Sequence, residues 1–163
     1  MTTDGTDTER KELSENLRHE YIFLQTAYEN SDTKVITIKS WGTLLISGAI
    51  AVGFKERSCL IFVATAFASI MLWYLEARWK TFQYSFIARI NRIERWFRQE
   101  QPDDIKPFQI FNAWMKEYDG YYKSPGAIWK MASTPFVFTP YIFVFMASLV
   151  GMIVASLPSP PPP

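Results

Sequence analysis

The sequence predicts an all-α membrane protein with three transmembrane helices, the second of which continues into a long helix outside the membrane. Three apolar blocks, at residues 35–54, 59–75 and 136–157, are each long enough to cross a bilayer, which takes about 20 residues. Residues 76–100 contain neither Pro nor Gly and place apolar side chains at helical intervals. The second block and this segment therefore predict one helix that leaves the bilayer and continues into water.

The 163 residues divide into five predicted segments. These are a cytoplasmic N-terminal amphipathic helix at 1–34, a transmembrane hairpin at 35–75, a cytoplasmic helical region at 76–134, a third transmembrane helix at 135–157 and a Pro-rich tail at 158–163. A soluble helical hairpin is the alternative for the first two apolar blocks. We disfavour it because the sequence offers few other apolar segments to cover two such helices.

The N-terminal segment has the pattern of a helix that packs against another helix. One apolar stripe repeats every three or four residues, made of Leu13, Leu17, Tyr21, Leu24 and Tyr28. Polar residues that compete with the helix backbone follow at Asn30-Ser31-Asp32. We expect this tripeptide to interrupt or kink the helix before the first span.

The composition excludes several classes of site. One cysteine, Cys59, and one histidine, His19, leave no disulfide framework and no Cys/His metal site within one chain. No catalytic triad is available, so we expect neither an enzyme nor a cofactor. The alternative of a membrane enzyme would depend on scattered carboxylates such as Asp103, Asp104 and Glu117. A formal charge of +1 gives no indication of duplex DNA as a partner.

The distribution of Lys and Arg predicts the orientation in the membrane. Five lie between Arg10 and Lys39 and ten between Arg78 and Lys130, whereas the hairpin turn has only Lys55 and Arg57. The positive-inside rule then puts the N-terminus and residues 76–134 in the cytoplasm, and the hairpin turn and the C-terminus in the periplasm or exterior. Aromatic residues fall at the predicted cytoplasmic ends of the spans, namely Trp41, Trp73, Tyr74 and Trp129.

A heptad pattern follows the second span. Its two seam positions are occupied by Trp79, Gln83, Phe86, Ile90, Ile93 and Phe97. Two partners fit such a seam, namely the N-terminal helix of the same chain or the same helix of a neighbouring subunit. Because a polar residue in a seam fixes register or oligomeric state, we assign these residues to an oligomer seam. The many aromatics also leave open a helix that lies along the membrane surface.

Four arginines on the same segment are candidate ligand-binding residues. Arg89, Arg92, Arg95 and Arg98 recur every third residue, so they spread over the flanks of the helix. In an oligomer they would converge on an anion such as a nucleotide or oligonucleotide. The alternatives are solvated or lipid-facing arginines, and arginines that contact protein.

The spans themselves offer two features that suit an oligomeric pore. Ala147, Gly151 and Ala155 form a small-residue ladder for helix packing or for a pore face. Lys39 and Glu76 would line the cytoplasmic mouth of a pore, or serve as simple interfacial anchors. No ionisable residue falls at mid-membrane, which disfavours a proton-coupled transporter. A pore would then be built from several subunits and gated by an apolar constriction.

The order of elements resembles a known group of membrane effectors. The likeness is carried by Glu20-Tyr21, Asp32-x-Lys34, Ile38-Lys39-x-Trp41, the two-span hairpin and Trp73-x-Leu75-Glu76-x-x-Trp79-Lys80-x-Phe82-Gln83. These resemble the SLATT-type small membrane effectors that accompany nucleotide signalling in bacterial antiphage defence. The likeness covers residues 1–100, and the third span and residues 107–131 depart from the plain two-span pattern.

The resemblance implies a homo-oligomeric inner-membrane effector that forms a gated ion-conducting pore. It also implies a nucleotide or oligonucleotide ligand at the cytoplasmic helices, and a partner nucleotidyltransferase that makes it. Membrane lipid is the other expected partner. The alternative is a non-conducting membrane scaffold that docks a soluble protein.

Overall fold

The computed structural model describes residues 3–100 and 105–158, and side chains from residue 7 onward. Every regular element in these residues is an α-helix, which confirms the predicted all-α class. The helices are α1 (Thr3–Glu56), α2 (Cys59–Tyr84), α3 (Ile87–Phe97), α4 (Ile110–Lys123), α5 (Pro125–Ala132) and α6 (Pro135–Ser156). The carboxylates Asp103 and Asp104, and the predicted Pro-rich tail after Pro158, lie outside the described residues.

Within the described ranges, three helical stretches are long and apolar enough to cross a membrane. The first is the C-terminal part of α1, and the second is the apolar start of the stretch that α2 and α3 form. The third is α6. The predicted continuation of the second span is also present, with one irregular step at Ser85 and Phe86. There the backbone N–H and the hydroxyl of Ser85 both donate to the carbonyl of Thr81, at 3.2 and 2.8 Å.

Helix α1 runs without a break through Asn30, Ser31 and Asp32, so the expected interruption is wrong. The Ser31 hydroxyl donates to the Ala27 carbonyl at 2.8 Å, a bond made inside the helix. Asp32 forms an ion pair with Lys80 of α2, with Oδ1 and Nζ 2.6 Å apart. Partners within the fold therefore outweigh the weak helix propensity of these residues.

The described chain forms two compact units, and the first comprises Met1–Lys34 and Lys80–Pro125. Its buried core consists of Leu17, Leu24, Ile93 and Ile105. Helix α4 contacts α3, and its aromatic side chains pack on Phe86, just before α3, and on Phe82 near the end of α2. The Phe82 and Trp114 rings lie 4.9 Å apart, and the Trp114 indole donates to the Phe82 carbonyl at 3.1 Å. The N-terminal half of α1, α3 and α4 are thus fixed to one another.

The second unit comprises Val35–Trp79 and Gly126–Pro163. The ring of Phe62 is fully buried in it, against two glycines. A Cβ built on Gly151 would lie 2.2 Å from that ring, and one on Gly53 would lie 3.0 Å from it. Only glycine therefore allows α1 and α6 to approach Phe62 of α2 this closely.

Candidate functional site

The carboxylate of Glu76 is the point at which the three membrane helices meet in the second unit. Its Oε1 lies 2.8 Å from the Nζ of Lys39 on α1, and its Oε2 accepts the Tyr141 hydroxyl of α6 at 2.7 Å. The Glu76 side chain is only 3% exposed, so both contacts are shielded from solvent. One buried charge therefore ties α1, α2 and α6 together.

The two oxygens of Glu76 are satisfied in different ways. Oε2 accepts a hydrogen bond, whereas the ion pair of Oε1 with Lys39 is short but not directed as a hydrogen bond. Both side chains line a cavity of about 20 Å³, the size of one water molecule. The Lys39 ammonium also lies over the Phe136 and Tyr141 rings, 4.7 and 5.8 Å from their centroids. The predicted pore-mouth residues are thus a buried carboxylate paired with a half-buried lysine that aromatic rings cover, and their lining of a pore stays a prediction.

Hydroxyl groups continue this contact between α2 and α6. The Ser69 hydroxyl donates to the Tyr141 carbonyl at 2.9 Å, and the Thr65 and Ser148 hydroxyls lie 2.9 Å apart. All of these groups are buried. The polar side chains at the centre of these two helices therefore hold the chain together, as hydroxyls do in membrane proteins.

The predicted small-residue ladder of α6 is only partly used inside the chain. Gly151 is buried against Phe62, Ala155 is half-buried and Ala147 is exposed. The ladder therefore makes a close packing contact within one chain at its centre. A contact of Ala147 with another subunit, or with a pore, stays a prediction.

The membrane part of α1 has three distinct faces. One face packs in the second unit, through Val35, Gly42, Ile46 and Gly53. A second face exposes large apolar side chains, namely Ile38, Trp41, Leu45 and Val52. A third face exposes small and hydroxyl-bearing residues beside Leu44, namely Thr37, Ser40, Ser47, Gly48 and Ala51. These five lie within about 100° of one another around the helix, and we call them the small-hydroxyl face.

A second buried charge pair lies in the first unit. The Arg89 guanidinium donates to both oxygens of Glu20, at 2.7 and 3.0 Å, and the two side chains are 3% and 0% exposed. Arg89 also donates to the Lys106 carbonyl at 2.7 Å, and Glu20 accepts the Phe108 backbone N–H at 2.8 Å. The pair therefore fixes α3 and the turn before α4 to α1.

The structure separates the four predicted ligand-binding arginines. Arg89 is engaged with Glu20, whereas Arg92, Arg95 and Arg98 are exposed. Arg98 forms an ion pair with Glu100 at 3.1 Å. Binding of a ligand by the arginines stays a prediction, and the burial of Arg89 makes it a poor member of that set.

Arg98 lines a surface groove of about 470 Å³ together with Arg18, a basic residue that was not among the predicted ligand-binding residues. Arg18 of α1 lines it together with Phe97 and Tyr21. Glu94 also lines it, and accepts the Tyr21 hydroxyl at 3.0 Å. This hydrogen bond is the main cause, and burial the second, of a pKa of the Tyr21 phenol above its ordinary value of 10.0. The groove presents to a ligand two guanidinium groups, the aromatic rings of Tyr21 and Phe97, and the carboxylate of Glu94.

The predicted oligomer seam is largely occupied by the chain itself. Phe86, Ile90 and Ile93 belong to the core built on Leu17 and Leu24 of α1. Of the two partners considered for this seam, the structure therefore supplies the N-terminal helix of the same chain.

The other seam residues differ in exposure. Gln83 is buried and donates to the Tyr28 carbonyl at 3.0 Å, while its own oxygen accepts from Lys80 at 2.9 Å. Trp79 lines the Glu76 cavity, and Phe97 remains exposed against Trp96. A subunit contact through the seam stays a prediction, and it is now limited to its exposed end.

Two contacts of the buried carboxylates were missed because their partners are distant in sequence. Tyr141 lies 65 residues from Glu76, and Glu20 lies 69 residues from Arg89. Glu20 did carry a signal, since it falls on the apolar stripe of α1 between Leu17 and Leu24. Comparison with models of known families, with curated proteins and with solved structures found no match to this chain.

Proposed function

We propose that the protein is a homo-oligomeric effector of the bacterial inner membrane that forms a gated ion-conducting pore. A nucleotide or oligonucleotide at its cytoplasmic helices controls the pore, and the setting is antiphage defence. The N-terminus lies in the cytoplasm and the C-terminus in the periplasm. The SLATT-type layout of the first hundred residues and the absence of a catalytic motif in the sequence support this proposal.

The observation that carries the proposal is the small-hydroxyl face of α1. The Ser40 hydroxyl donates to the Ile36 carbonyl of its own helix at 2.9 Å, so what favours a protein contact on this side is the exposure of several small residues together. Small residues allow helix backbones from different subunits to approach, and hydroxyls line a path for hydrated ions. The large apolar face of the same helix is suited to contact lipid.

The Glu76 cluster suits the role of gate. Lys39 is on α1, the helix that bears the small-hydroxyl face, and it is held by Glu76 of α2. Moving α1 relative to α2 would separate this pair in a medium of low dielectric constant, which costs several kcal/mol per uncompensated ion. A resting state held by such a pair stays closed until ligand binding elsewhere offsets that cost.

The groove of Arg18, Phe97 and Arg98 is the place where a nucleotide would bind in this proposal. Guanidinium groups bind phosphate in a forked geometry, and an aromatic ring stacks on a base. Arg18→Gln with Arg98→Gln should abolish the response to nucleotide and leave ion flux without nucleotide unchanged. Lys11→Gln, on an exposed part of α1, is the control.

The test measures oligomeric mass in detergent and potassium flux from proteoliposomes, with and without a panel of linear and cyclic nucleotides. Gly48→Leu should lower mass or flux, whereas Val52→Leu, on the apolar face, should change neither. Glu76→Gln should raise flux in the absence of nucleotide. A monomer that never conducts, with any nucleotide, would rule out the effector function.

A further inference from the structure

The outer side of α4 exposes a row of large apolar side chains. Phe111, Met115 and Tyr122 lie on this side, and Phe108 extends the row just before the helix begins. Phe108 and Phe111 are 67% and 66% exposed. The inner side of α4 is fixed by Trp114, which packs on Phe82 and stacks on Tyr118, with ring centroids 4.9 Å apart in both cases. The exposed row is therefore held by a rigid support.

The backbone holds Phe108 in this exposed position at a cost. Its φ is +61°, in the left-handed region that is unfavourable for residues with a side chain. The strain is offset by the hydrogen bond from its N–H to the buried carboxylate of Glu20, at 2.8 Å. Strained residues held in this way are typical of binding surfaces.

Lysines border the exposed row. Lys106, Lys116 and Lys123 are all exposed. The neighbouring carboxylate of Asp119 is paired with Lys123, with Oδ2 and Nζ 3.1 Å apart. Glu117 is half-buried on the inner side of the helix. The outer side of α4 therefore presents aromatic groups and net positive charge together.

We propose that this side of α4, with Phe108, inserts into the headgroup region of an anionic bilayer. Aromatic rings bordered by lysines have the composition of helices that lie in a membrane interface. Only Ser124, Ser133 and Thr134 join α4, α5 and α6 outside helices, so the chain length keeps the end of α4 within about 30 Å of the start of a membrane span. Because the chain links α4 to a membrane span, docking of α4 on the membrane surface needs no separate association step.

The experiment places a nitroxide label on the full-length protein in vesicles. Phe111→Cys is made in a Cys59→Ser background, because Cys59 is exposed and would also react. Gly120→Cys is the matched control, since Gly120 is exposed on the other side of α4 with open space around it. Accessibility to oxygen and to a water-soluble nickel complex is compared in phosphatidylcholine vesicles with and without phosphatidylglycerol.

The label at residue 111 should gain oxygen accessibility and lose nickel accessibility when phosphatidylglycerol is present, and the label at 120 should remain in water. Lys106→Gln with Lys116→Gln should reduce this effect, by about fivefold in the docked-to-undocked ratio for each lysine removed. Lys11→Gln should not change it. A label at 111 that stays in water in both lipids would overturn the proposal. So would spin–spin broadening at 111, which would show that a second protein copy covers this side.

Discussion

Glu20 and Arg89 form a forked ion pair, with nitrogen–oxygen distances of 2.7 and 3.0 Å, and neither side chain reaches solvent. The pair joins two helices that are separated by the whole membrane hairpin in sequence. It also binds the backbone of Lys106 and Phe108. One pair therefore determines the position of three segments of the first unit.

Removing one member of this pair should destabilise the protein strongly. Glu20→Ala leaves the Arg89 guanidinium buried without its counter-ion, which lowers the free energy of unfolding by about 3–5 kcal/mol. Circular dichroism in detergent would measure the change during chemical unfolding. Glu100→Ala, which removes the exposed partner of Arg98, should have little effect because exposed pairs contribute little. Equal effects of the two variants would contradict the assignment.

Removing the Tyr141 hydroxyl tests the Glu76 cluster. Tyr141→Phe takes away the one hydrogen bond that Glu76 accepts through Oε2, in a buried site. A hydrogen bond to a charged group contributes about 1.5–3 kcal/mol, so resistance to unfolding by SDS in mixed micelles should fall accordingly. Tyr74→Phe, at an exposed tyrosine of α2, is the control. The cluster would have no stabilising role if both variants unfolded at the same SDS fraction.

The close contact at Gly151 predicts an effect of a single methyl group. Gly151→Ala would place its Cβ 2.2 Å from the Phe62 ring, so the ring must move. Overpacking of this kind costs about 1–3 kcal/mol. Gly48→Ala meets nothing within 4 Å, so it should not lower the stability of the monomer and should raise it by up to about 1 kcal/mol, because alanine is more favourable than glycine in a helix. Adding Phe62→Leu to Gly151→Ala should restore part of the loss, and no restoration would argue against this contact.

The Tyr21–Glu94 hydrogen bond predicts an alkaline pH dependence. The pKa of Tyr21 is raised above 10.0 in the folded protein, so folding favours the protonated phenol. Its contribution to stability is complete below pH 10.0 and is lost as pH rises through the folded pKa. The difference in melting temperature between the native protein and Tyr21→Phe should thus shrink over that range. A constant difference would mean that the phenol is not coupled to Glu94.

The strained backbone at Phe108 predicts a stabilising substitution. Phe108→Gly relieves the left-handed conformation, and should raise the free energy of unfolding by up to about 1 kcal/mol. Phe111→Gly, inside α4, should lower it by about 1 kcal/mol, because glycine is unfavourable in helices. Thermal unfolding of both variants in detergent would measure the difference. A loss of stability in Phe108→Gly would show that its ring, although exposed, contributes packing.

The sequence allowed the helices to be predicted better than the contacts between them. Apolar blocks and helical spacing gave the three spans, because long uncharged runs have few other stable states in proteins. Local helix propensity gave a wrong prediction of an interruption at Asn30–Asp32. Asp32 there pairs with Lys80 of α2, which is too distant in sequence for a local pattern to include. The heptad of α2 and α3 was a correct indication of a packed helix, but one chain could not reveal which helix would cover it.

The buried charges were the least predictable part of the site. Lys39 and Glu76 resembled interfacial anchors, since each lies near the end of an apolar block. Their pairing depends on the angle at which α1 packs on α2, which close contacts such as Gly42 against Leu72 determine. A charge on an otherwise apolar stripe, as at Glu20, is the signal that would have pointed to a buried pair.

The connector between the first two membrane helices has a consequence for the biosynthesis of the protein. Arg57 donates to the carbonyls of Val154 and Leu157, at 3.2 and 2.8 Å, and these acceptors are translated about a hundred residues later. Thr65, Ser69 and Glu76 also find partners on α6. During translation, the Lys39–Glu76 pair is therefore a contact that α1 and α2 can form before α6 is made. The hydroxyls and the arginine reach their final partners only when α6 emerges from the ribosome and enters the bilayer.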